Sequence, residues 1–157
     1  MIGYVCKYTP VEVFEAMGVE IRRIQPEVTN FNQADTLMHP NICSFTKSVL
    51  EDVLAGDYEG VVLTTCCDSI RRLYDVLKQQ CPDKFLYLLD VPRKVNDFST
   101  DMYRENILDM VHAYEAFSGK TFDEIALKQL LERREAGQNL RTAPKNKASV
   151  HIGLMGA

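Results

Sequence analysis

No stretch of this sequence approaches the ~20 consecutive apolar residues of a membrane-spanning helix, so a helical span is excluded. The first residues, Met-Ile-Gly-Tyr-Val-Cys-Lys, lack the basic start and apolar core of a secretory signal. Five cysteines without such a signal point to a reducing cytoplasm. There, cysteines are more often metal ligands, catalytic groups or plain core than disulfides. No Cys-x-x-Cys occurs, which argues against zinc ribbons and thioredoxin-like motifs. Both glycine-rich phosphate loops, G-x-G-x-x-G and G-x-x-x-x-G-K-S/T, are missing. A positive surplus is missing too: the net charge is −4, with no global bias toward nucleic acid or anionic lipid. His39, His112 and His151 make no metal-ligand spacing, and there is no internal repeat or low-complexity tract.

What is present suits a globular domain. The chain has 157 residues, 46% hydrophobic and 25% charged, enough for one real core. Apolar runs at Ile2–Cys6, Val19–Ile24, Gly60–Thr65 and Phe85–Leu89 read as strands. Gly60–Thr65 is a continuous β-branched and apolar run, as expected of a parallel strand buried on both faces. Helices are expected between them. Thr9 and Pro10 open one that ends at Gly18, with Val13, Phe14 and Met17 on its apolar face. Cys43–Ala55 reads as a second, and Ile70–Gln80, capped by Asp68-Ser69, as a third. Pro26–Pro40 reads as irregular. Two amphipathic helices follow, Asp101–Phe117 and Thr121–Ala136, the latter opened by a Thr-Phe-Asp-Glu capping box.

This alternation gives the expected fold class: α/β, with a short parallel Rossmann or flavodoxin-like sheet flanked by helices and a C-terminal helical extension. The expected organisation is an α/β domain over residues 1–96, a helical extension over 97–140, and a linker with a first further strand over 141–157. That strand, Val150–Gly156, reads as the opening of a second α/β unit; its alternative is an edge strand of the same sheet.

Cys6, Cys43 and the pair Cys66-Cys67 all stand where a strand or loop hands over to a helix. In a parallel sheet these handovers share the edge where open α/β sheets bind ligands. Convergent thiolates are what an iron–sulfur cluster or a soft metal requires. Each site also has a plain reading as core, since free cysteine is among the most buried residues. Cys66 and Cys67 lie in an extended segment, so their side chains are expected to diverge. A vicinal disulfide is the poorer option. Cys81 follows a helix end and belongs to the opposite edge. Arg71-Arg72 could neutralise an anionic cofactor or form a solvated helix face. Glu12 reads as a cap partner before a site carboxylate, and Asp68 as an N-cap.

Three ordered segments carry a resemblance. Gly3-Tyr4-Val5-Cys6-Lys7-Tyr8-Thr9-Pro10-Val11-Glu12, with Ala16-Met17-Gly18, resembles the opening of the 2-hydroxyacyl-CoA dehydratase D-component family. Asn41-Ile42-Cys43-Ser44-Phe45-Thr46-Lys47-Ser48 resembles its first ligand region. Thr64-Thr65-Cys66-Cys67-Asp68-Ser69-Ile70-Arg71-Arg72-Leu73-Tyr74-Asp75 resembles its second. The family includes dehydratase subunits, benzoyl-CoA reductase subunits and double-cubane cluster proteins.

The resemblance implies 4Fe–4S-type cluster binding and low-potential electrons from a separate ATP-dependent activator protein. In the dehydratases an electron enters the thioester carbonyl, and the ketyl radical anion expels the 2-hydroxyl group. The implied partners are that activator, a homologous or identical second subunit, and an acyl-CoA or small-molecule substrate, with no nucleic acid and no membrane. The implied ligands are Cys43 and Cys67, a third lying in a second α/β domain. Two adjacent cysteines depart from the single one of ordinary dehydratase subunits. They resemble double-cubane members, whose 8Fe–9S cluster would add Cys66 and Cys6 as ligands and shift the substrate toward small molecules. The rival reading is a non-enzymatic flavodoxin-like binding module with buried structural cysteines.

Overall fold

The computed structural model describes residues 1–27 and 30–139. The elements run β1 (Ile2–Tyr4), α1 (Val11–Ala16), β2 (Ile21–Arg23), α2 (Asn32–Leu37), α3 (Ser44–Ala55), β3 (Gly60–Thr64), α4 (Asp68–Gln80), β4 (Phe85–Leu89), α5 (Asp97–Ser118) and α6 (Glu124–Asn139). The strands form one all-parallel sheet in the order β2-β1-β3-β4. The expected α/β class with a flanked parallel sheet and a C-terminal helix is the fold found.

Strand β3 is central and wholly buried. Its side chains alternate between two cores, as strand geometry requires. Val61 and Leu63 join Val49, Leu50 and Val53 of α3 and Ile70, Leu73 and Leu77 of α4 on one face. Val62 joins Ile2, Phe14 of α1 and Met110 and Tyr114 of α5 on the other. Phe14 and Phe85 both meet the Tyr114 ring edge-on, with centroids 5.2 and 4.9 Å away. Helix α5 therefore covers one face of the sheet. Gly60 pairs with both Ile2 and Phe85. A Cβ there would lie 2.6 Å from that of Phe85 and against its carbonyl oxygen, so only glycine fits.

The chain turns at β1. It crosses to β2 through α1 on one face, then returns over the other face through α3 to β3. Neighbouring strands β1 and β3 therefore send their connections to opposite sides. That opens a crevice beyond their carboxyl ends, the topological switch point of an open α/β sheet.

Several local expectations are corrected. Thr9 does not cap α1: its hydroxyl is buried without a partner, Pro10 holds the cap position, and the Thr9 N–H closes a turn onto the Cys6 carbonyl at 3.0 Å. The Pro26–Pro40 stretch is not wholly irregular, because α2 lies within it. Its N-terminus is capped from a distance: the buried Glu51 of α3 accepts from the Gln33 and Ala34 N–H groups at 2.7 and 2.8 Å. Helix α5 starts at Asp97, four residues before the expected Asp101, on a reciprocal cap between Asn96 and Ser99. Helix α6 is capped by Asp123, whose carboxylate accepts from Ile125 and Ala126; Thr121 takes no part. The expected strand at Val150–Gly156, and residues 141–157 as a whole, lie outside the described residues.

Candidate functional site: a thiol-lined cleft at the switch point

Cys6, Cys43, Cys66 and Cys67 all line one cleft of about 500 Å³ at the carboxyl edge of the sheet. Each arrives by a different route. Cys6 follows β1. Cys43 is the N-cap residue of α3, and Cys67 that of α4. Cys66 sits in the turn between β3 and α4. Cys81, at the C-cap of α4, packs against the core beneath α3 and α4 and takes no part in the cleft.

The adjacent pair does not diverge as an extended segment would. Thr65 and Cys66 form a turn, and both Cys66 and Cys67 face the cleft. The turn is held firmly. The Thr65 N–H donates to the Leu89 carbonyl at 3.0 Å, and its hydroxyl donates to Asp90 Oδ1 at 2.5 Å. The same hydroxyl accepts from the Val91 N–H at 3.2 Å, so the ends of β3 and β4 are pinned together. All five cysteines are free; Cys43, Cys66 and Cys67 are exposed, and Cys6 is half-buried.

Cys43 and Cys66 differ in character. Burial pushes the Cys43 thiol up, but hydrogen bonds from the Thr46 side chain and N–H, from Ser69 and from the Phe45 N–H outweigh it. The net shift is downward. The Thr46 hydroxyl stands 3.1 Å from the Cys43 sulfur. Cys66 moves the other way: burial raises it, and the neighbouring Cys6 and Cys67 add to the rise, against a lowering contact with Thr64. Cys66 thus sits electrostatically between Cys6 and Cys67.

The remaining walls are apolar and cationic. Val5, Tyr8, Phe45 and Ile70 supply the apolar surface, while Lys7 and Arg23 bring positive charge. Among the described residues lining the cleft, none is acidic. Sequence reading missed these two cations and left Arg71-Arg72 evenly placed between a cofactor partner and a solvated helix face. Arg72 instead pairs with Asp75 on an exposed helix face at 3.2 Å, and Arg71 reaches back to the Thr65 carbonyl at 3.4 Å. The topology would have exposed Arg23, because it ends β2 at the same sheet edge. Tyr103 of α5 was also missed. Burial, then the nearby Cys6 and Glu12, push its phenol up, and its hydroxyl donates to the Tyr8 carbonyl at 2.6 Å.

Two candidate carboxylates lie elsewhere. Glu12 is neither cap nor cleft residue: with Glu15 it binds Arg134 of α6. Asp68 occupies the first turn of α4 without acting as its cap. His39 accepts from the Asn41 N–H in a turn at 3.2 Å.

Among the described residues, no group of three or more His, Cys, Asp or Glu side chains is set to hold a single metal ion. The donor set is nevertheless soft, thiol-only and spread around a cleft rather than closed on a point. That chemistry suits a polynuclear iron–sulfur group better than one hard cation. Among the described residues, no helix is long and apolar enough to cross a membrane.

The chain belongs to the family described as 2-hydroxyglutaryl-CoA dehydratase, D-component, whose model matches residues 6–147. It is similar to the (R)-phenyllactyl-CoA dehydratase beta subunit of Clostridium sporogenes, with 27% identity over 139 residues. That match covers 83% of this chain and 36% of the relative. It is also similar to a benzoyl-CoA reductase subunit of Thauera aromatica, with 25% identity over 134 residues, covering 82% of this chain and 35% of the relative. The chain spans about a third of the length of these curated relatives.

Proposed function

We propose that this domain holds part of an oxygen-sensitive iron–sulfur cluster in a reductive enzyme of the 2-hydroxyacyl-CoA dehydratase kind. The observation that carries the reading is the convergence of Cys6, Cys43, Cys66 and Cys67, separate in sequence, on one cleft at the switch point. Family membership supports it independently.

Cys43 and Cys67 are the primary ligands. Each stands at the N-terminus of a helix of twelve or thirteen residues, where the partial positive charge of free N–H groups favours a bound anion. Lys7 and Arg23 add positive charge at the rim. When bound, such a cluster supplies single electrons at low potential. A third ligand would come from outside this domain.

Cys66 and Cys6 decide between two forms. If only Cys43 and Cys67 bind, a 4Fe–4S cluster and an acyl-CoA substrate follow. If Cys66 and Cys6 also bind, a double-cubane 8Fe–9S cluster and a small-molecule reduction follow. The electrostatic influence of Cys6 and Cys67 on the Cys66 thiol supports the second form. An ATP-dependent activator protein is the proposed electron donor. A second subunit is proposed because both relatives are named as subunits.

The rival reading, a binding module with buried cysteines, is disfavoured by the exposure of Cys43, Cys66 and Cys67. The test is anaerobic purification of the full chain. Brown protein with broad sulfur-to-iron charge-transfer absorption is expected; colourless, iron-free protein would overturn the proposal.

A further inference from the structure

Thr46 is fully buried, yet it carries a hydroxyl. A buried hydroxyl costs stability unless it is hydrogen-bonded. Here its partner is a sulfur: Thr46 Oγ1 lies 3.1 Å from Cys43 Sγ, one turn along α3. The Ser69 side chain, in the first turn of α4, is among the hydrogen-bonding groups that lower the pKa of the same thiol. The two hydroxyls come from the two helices whose N-caps are Cys43 and Cys67.

A metal-bound thiolate has no proton to give, so both hydroxyls must donate to it. Hydrogen bonds to ligating sulfur draw off electron density and stabilise the more negative, reduced cluster; they are among the determinants of its potential. We propose that Thr46 and Ser69 are positioning residues that aim Cys43 into the cleft and, by donating to its sulfur, raise the reduction potential of the bound cluster. This rests on the function proposed above.

The test uses the anaerobically purified full chain as wild type, Thr46→Val, Thr46→Ser and Ser69→Ala. Iron content is measured beside a redox titration followed by electron paramagnetic resonance. Thr46→Val keeps the shape of the side chain; it should retain iron and titrate at a more negative potential. Thr46→Ser should return the potential to that of wild type. Ser69→Ala, at a partly exposed site, should shift in the same direction as Thr46→Val. A merely structural hydroxyl would lower the melting temperature and leave the potential in place. Iron-loaded Thr46→Val at the wild-type potential would overturn the role of Thr46. Should that variant not fold, an unshifted Ser69→Ala would overturn the tuning role. Iron-free wild type would instead overturn the cluster reading itself.

Discussion

The sulfur of Cys43 and the hydroxyl of Thr46 stand 3.1 Å apart, three residues along the start of one helix. Cys43 is the extended N-cap residue of α3 and Thr46 stands three positions on in its first turn, so the turn at the cap brings the hydroxyl to the sulfur. Cys66, across the same cleft, lies among other thiols and has its ionised form disfavoured. Thiolate character is thus favoured at Cys43 and disfavoured at Cys66.

The metal-free protein should show this division by alkylation. Cys43 should reach half its limiting rate with iodoacetamide at a lower pH than an ordinary thiol, and Cys66 at a higher one. The stability signs are opposite. A lowered thiol pKa contributes stability that is fully present above the unfolded value and is lost as pH falls through the folded one. A raised pKa contributes stability present below the unfolded value and lost as pH rises through the folded one. Mass spectrometry of the alkylated sites reads the order directly. Cys66 reacting first as pH rises would contradict it.

Gly60→Ala should destabilise the domain by about 1–3 kcal/mol, the usual cost of overpacking. The added methyl would meet the Phe85 backbone on the neighbouring strand, which cannot yield without breaking the β3–β4 pairing. Urea denaturation measures the loss. An unchanged midpoint would mean that the two strands are not in this register.

Arg134→Ala should release α6 while leaving the sheet intact. Arg134 binds both Glu12 and Glu15 of α1. The three side chains are 30–40% exposed, so the loss in global stability should stay below about 1 kcal/mol. Limited proteolysis is the sensitive readout: cleavage near the α5–α6 junction should speed up in the variant. Equal cleavage in variant and wild type would show that the pairs do not hold α6.

Much of this arrangement was legible in the residues. The β-branched run at Gly60–Thr64 gave the central strand, and the thiols at the strand–helix junctions gave the cleft, because parallel topology carries every such junction to one edge. What was hidden depends on contacts distant in sequence. Helix α2 has no side-chain cap of its own at Phe31, and its cap is Glu51 of α3. Glu12 looked like a cap residue because its partner, Arg134, lies 122 residues away. Cys66 and Cys67 were expected to point apart because an extended chain alternates. The turn held by Thr65 and Asp90 removes that alternation. Arg71-Arg72 drew attention by adjacency, whereas the cleft takes its cations from the end of β2 and the segment after β1.

The most direct test is iron and acid-labile sulfide per full-length chain, purified without oxygen, in wild type and in the single Cys→Ser variants. Serine replaces thiolate poorly as a ligand to iron in a cluster. The account predicts iron in wild type, a marked loss in Cys43→Ser and Cys67→Ser, and none in Cys81→Ser. Cys66→Ser losing about half the iron would support the two-subcluster form, and unchanged iron there would favour the single cluster. Equal iron in wild type, Cys43→Ser, Cys66→Ser, Cys67→Ser and Cys81→Ser would contradict the claim that this cleft holds a cluster.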